Sequence, residues 1–140
     1  MKADKHEVRG LPFKQRLKIL DEFGEILINT VRDHSLKMSM SYATGKSVNQ
    51  IKANQYNVLS QLSEEQKEKV NDLLSETITD VIFEFLHMID ENPDKMELII
   101  KKDGVQYNYC DLTEHAGSEI ACFEDDGWIQ RFSKIGRFVL

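Results

Sequence analysis

Two prolines, two cysteines and a single tryptophan are spread over 140 residues, and no long apolar run is present. No stretch approaches the roughly 18 consecutive apolar residues that a membrane-spanning helix needs, so no membrane association is expected. The opening residues, MKADKHEVRG, place charges where a signal peptide requires an apolar segment. Cys110 and Cys122 therefore read as reduced thiols of a cytoplasmic protein. Internal repeats and low-complexity linkers are also missing, which leaves one domain over residues 1–140 as the expectation. An apolar share of 41% supplies one ordinary core, and with a net charge of only −6 it speaks against disorder.

That net charge is unevenly placed. Residues 1–89 carry 12 basic and 13 acidic side chains, whereas residues 90–126 carry 11 acidic against three basic. The remaining residues, 127–140, hold Arg131, Lys134 and Arg137 and no acid. A negative potential concentrated between residues 90 and 126 repels phosphate backbones, so nucleic acid is not an expected partner.

The period of the apolar residues gives an α+β fold with three amphipathic helices, over about 12–44, 48–61 and 64–91. Pro12 suits a first helical turn, where its missing N–H is not needed. Phe13, Leu17, Leu20, Gly24, Leu27 and Val31 then recur at spacings of three and four, with Phe23 and Ile28 widening the stripe. Gly24 leaves room for a close neighbour. Residues 36–42 fit either a strand or a helix by periodicity, and the absence of a turn signal after Val31 favours helix. Gly45 suits a left-handed C-cap. Ser47-Val-Asn-Gln50 and Ser63-Glu-Glu-Gln66 both read as capping boxes that open the next two helices. Asn92-Pro93 closes the third.

Beyond that point the period shortens to two. Residues 96–102 and 105–109 flank Asp103-Gly104, a strong hairpin signal because both turn residues must tolerate positive φ. A hairpin alone is marginal in water, so it needs the helices beneath it or another strand beside it, and residues 118–123 could supply that third strand. A short C-terminal helix begins near Trp128.

Motifs with chemical potential are incomplete. Gly45-Lys46-Ser47 ends like a phosphate-binding loop, but Met40 occupies the position of its first glycine. Glu84 and His87 have the spacing of a helical metal pair, with no second pair to complete a site. Cys110, His115 and Cys122 lack the tight knuckle of a zinc site, and no oxyanion hole accompanies them. No cofactor, metal or catalytic set is expected, and the protein is not expected to be an enzyme. The acidic stretch remains. Asp111, Glu114, Glu124, Asp125 and Asp126, with Trp128 as an aromatic anchor, form a candidate recognition patch for a basic protein partner. The alternatives are a structural or regulatory homodimer, for which Phe83 and Met88 supply apolar surplus, and a small metal- or thiol-dependent enzyme.

Val31-Arg32-Asp33, Leu62-Ser-Glu-Glu-Gln66, Phe85-Leu86-His87 and Gly127-Trp-Ile-Gln-Arg-Phe-Ser133 together resemble a group of small bacterial proteins similar to immunity proteins encoded beside secreted toxins. The resemblance spans most of the chain and implies a protein that occludes a toxin or effector. It departs from the group's pattern after the hairpin, where Asp111-Leu-Thr-Glu114 stands in place of a glycine-rich segment.

Overall fold

The computed structural model describes residues 1–121 and 126–140. A short helix α1 (Lys5–Gly10) leads into an unbroken run of helical backbone from Phe13 to Ala43. That run consists of α2 (Phe13–Ile26), a π-helical segment over Leu27–Asp33, and α3 (His34–Ala43). Residues 36–42 are thus helical. At the far end Gly45, with φ +71°, closes α3 in a Schellman motif. The Lys46 amide donates to the Ser41 carbonyl at 3.0 Å and the Gly45 amide to that of Tyr42 at 3.2 Å.

The apolar stripe is only partly the buried one. Ile19, Leu20, Gly24 and Ile28 are inside, whereas Phe13, Leu17 and Val31 are exposed. The π-helical segment explains Val31. Its i→i+5 bonds lengthen each turn, so positions late in it and beyond it rotate away from a 3.6-residue register. Arg32 and Asp33 turn inward in its place. Phe13 and Leu17 overlook a groove described below.

Helix α4 (Gln50–Tyr56) continues into a 3₁₀ segment over Asn57–Gln61. Its cap is Asn49, not Ser47: the Asn49 side chain accepts from the Lys52 amide, while the buried Ser47 hydroxyl accepts from the Asn49 amide in a local turn. The second capping box forms in full. Ser63 Oγ accepts from the Gln66 amide at 3.2 Å, and Gln66 Oε1 accepts from the Ser63 amide at 3.0 Å. It opens α5 (Glu64–Glu91), which stops at Asn92 ahead of Pro93.

Strands β1 (Ile99–Lys102) and β2 (Val105–Asn108) pair antiparallel with Lys102 opposite Val105. Asp103 (φ 49°) and Gly104 (φ 78°) both take the positive φ that a tight hairpin requires. No third strand forms from residues 118–121, and residues 122 and 123 lie outside the described residues. The free edge of β2 is met instead by the other end of the chain: the Ala3 amide donates to the Gln106 carbonyl at 2.7 Å, and the Gln106 amide to that of Met1 at 2.8 Å. Two short helices complete the fold, α6 (Tyr109–Leu112) and α7 (Trp128–Phe132).

The core has two parts. The larger gathers Val8, Leu20, Ile28, Leu86, Tyr109 and Trp128 among others, and the smaller is built on Leu36, Ala43 and Phe138. Ile78 of α5 packs against both.

Candidate functional site

Helix α2 and the segment that follows α6 form the two walls of a surface groove. Phe13, Arg16, Leu17, Leu20 and Asp21 recur at helical spacing and line one wall. Leu112, Glu114, Ser118 and Glu119, then Asp126 and Arg131, line the other. Two hollows of about 190 and 170 Å³ share Leu17, Leu20, Ser118 and Glu119, so they make one continuous depression. Phe13 is 62% exposed at its mouth, with the Arg16 guanidinium 5.9 Å from its ring centroid.

The wall opposite α2 is held by a buried polar network. Tyr109 is fully buried and its hydroxyl donates to Glu119 Oε2 at 3.0 Å while accepting from the Gly117 amide at 2.8 Å. Thr113 Oγ1 donates to the other Glu119 oxygen. Burial first, and the Glu119 carboxylate second, push the Tyr109 phenol well above its ordinary range. Glu119 also anchors through its backbone, accepting from the Trp128 amide at 2.8 Å.

The indole of Trp128 is fully buried behind α2. It lies against Gly24, packs edge-on to Phe23 at 5.9 Å, and donates from Nε1 to Asp21 Oδ1 at 3.3 Å. The same Asp21 receives a two-pronged contact from Arg131, at 2.8 and 2.9 Å. This bidentate pairing raises the affinity of Arg131 for its proton.

The sequence candidates distribute unevenly over this site. Glu114 lines the groove and is exposed; Asp126 lines it too, and its carbonyl accepts from Arg131 Nε. Asp111 is mostly covered, 3.7 Å from Lys5 Nζ, and it lines neither hollow. Glu124 and Asp125 lie outside the described residues. Trp128 corrects its expected role: with no exposed surface it cannot serve as an anchor on the surface, because the space above Gly24 draws the indole into the core. Glu119 and Asp21 were hidden from sequence reasoning, since an isolated acid gives no sign of partners 107 and 110 positions away, as at Asp21, or of a buried tyrosine hydroxyl, as at Glu119.

Cys110 is half-buried, and its thiol is pushed up to about 11 by burial and then by hydrogen bonding to Asp90. A thiol so held is a poor nucleophile. His87 stacks on Phe83 and lies 3.6 Å from Glu91. No group of three metal-ligating side chains occurs among the described residues. Cys122 lies outside them.

A second polar cluster sits where the π-helical segment meets the C-terminal tail. Arg32 and Asp33 form a buried pair at 2.9 Å, and Asp33 also accepts from Ser133 Oγ and the Lys134 amide, both at 2.8 Å. Arg32 donates to the Gly136 carbonyl. Desolvation weakens the hold of Arg32 on its proton, and Asp33 works against that loss. Arg32 and Asp33 therefore meet Ser133, Lys134 and Gly136 in space. Compared with protein-family models, curated proteins and solved structures, the chain matches none of them.

Proposed function

We propose that this chain is a non-enzymatic protein-binding domain that takes a basic partner in the groove between α2 and the wall of Leu112, Glu114, Ser118, Glu119, Asp126 and Arg131. The observation that supports it is the pairing of an exposed aromatic, Phe13, with the exposed carboxylate of Glu114 across one depression. An exposed apolar side chain with the carboxylates of Glu114 and Asp126 gives a lysine- or arginine-rich surface both contact area and electrostatic steering, and Arg131, on the same rim, is already held by Asp21. Following the family resemblance, the partner is a toxin or effector, and the chain is its immunity protein.

The test is co-expression with the products of neighbouring genes. A product that arrests growth alone should be tolerated with this chain present and should bind it in purified form. The E114K/D126K variant should weaken that binding tenfold or more with unchanged helicity. If no neighbouring product is neutralised, the immunity reading fails. If one binds the double variant as tightly as the parent chain, the groove assignment fails.

A further inference from the structure

The outward side of α5 carries two parallel rows of exposed side chains. Residues four apart stack into rows along a helix. One row is acidic throughout: Glu68, Asp72, Glu76, Asp80 and Glu84, every one exposed. The adjacent row is Leu73, Thr77, Val81 and Phe85, in which Leu73 is 64%, Val81 60% and Phe85 53% exposed. Val70, Leu74, Ile78, Ile82 and Leu86 form the next row, and that one faces the core. Like charges four residues apart destabilise a helix, and three large apolar side chains gain nothing from standing in water.

The chain itself displays what the acidic row attracts. Arg137 of the tail reaches Glu68 at 3.0 Å and Asp72 at 3.2 Å. Glu76, Asp80 and Glu84 continue that row, and none of them makes an ion pair among the described residues.

We propose that this face docks an amphipathic basic helix of another protein. The helix lays its apolar side chains over Leu73, Val81 and Phe85 and sets lysines or arginines, spaced four apart, against Glu76, Asp80 and Glu84. The apolar row runs for about 18 Å at 1.5 Å per residue, three turns of a partner helix. A second copy docked antiparallel on the same face would oppose acidic row to acidic row, and an anionic membrane would be repelled. The proposal does not rest on the groove, which uses none of these residues.

The probe is an 18-residue synthetic peptide with leucines on one helical face and lysines flanking them, measured by fluorescence anisotropy against the full chain. It should bind with amide shifts centred on residues 73–85, while a scrambled peptide of the same composition binds at least tenfold more weakly. V81D and, separately, E76K/D80K should each lower affinity tenfold or more. E25K/D94K, an equal change in net charge away from α5, should leave it unaltered, as should E114K/D126K. Equal binding of the scrambled peptide, or equal losses from E76K/D80K and E25K/D94K, would overturn the proposal. So would self-association in sedimentation that V81D abolishes, since a second copy would then be the occupant.

Discussion

Gly24 and Trp128 are in such close contact that a β-carbon on Gly24 would stand 2.3 Å from the indole Cε2. Alanine is ordinarily the better helix former by about 1 kcal/mol. Here the indole is fully buried and boxed in by Phe23 and Asp21, so it has little room to retreat. Gly24→Ala is expected to destabilise the fold by about 1–3 kcal/mol, the range for overpacked cores. Urea titration followed by tryptophan fluorescence measures this directly, and a more stable variant would show that the indole moves freely.

Asp33 holds three donors at once, from Arg32, Ser133 and Lys134. Removing it strands a buried guanidinium and the tail's own donors. Asp33→Ala should cost about 3–5 kcal/mol, as for other broken buried pairs. Replacing both charges together, as in R32M/D33L, should cost clearly less than the two single losses combined. A double-mutant cycle by chemical denaturation decides the point.

Cys110 sets an alkaline limit. Its thiol rises from 9.0 to about 11 in the folded chain, through burial and then Asp90. The folded state therefore keeps a proton that the unfolded state gives up. The sign is fixed: this contribution is complete below pH 9 and is lost as pH rises towards 11. C110S should flatten the fall in stability over that window. Alkylation by iodoacetamide at pH 8 should be slow in the native protein and fast in urea. Equal rates in both would contradict the burial of the thiol.

The hairpin's outer edge depends on Met1–Ala3. Without those residues β2 presents unpaired backbone groups at Gln106, a template for another chain. Deleting residues 1–3 should raise the aggregation rate at fixed concentration, measured by light scattering, with little loss of helicity.

Features governed by neighbours in sequence were legible beforehand. The Ser63 capping box, the Gly45 terminus, the stop at Pro93 and the Asp103-Gly104 turn each depend on a few adjacent residues, and each is present as expected. Ser47 failed as a cap because Asn49 offers a competing oxygen two positions later. Residues 118–121 form no strand, and the edge of β2 is met by the chain's first three residues, a pairing across some hundred positions that no local pattern encodes. The groove was half legible. Glu114 and Asp126 came from charge counting, but the burial of Trp128 follows from a contact with Gly24, and the occupation of Glu119 from a tyrosine that periodicity alone leaves unplaced.

The π-helical segment between α2 and α3 acts as a phase setting. Upstream of it the helix feeds the larger part of the core, and downstream it feeds the smaller part around Leu36 and Phe138. One residue more or fewer within Leu27–Asp33 would swing α3 by roughly 100° about its own axis. The smaller core would then face water, and the Asp33 clamp on the tail would point away from it. Seven residues thus fix the rotational angle at which the two ends of this molecule are presented, and length there is less tolerant of change than composition.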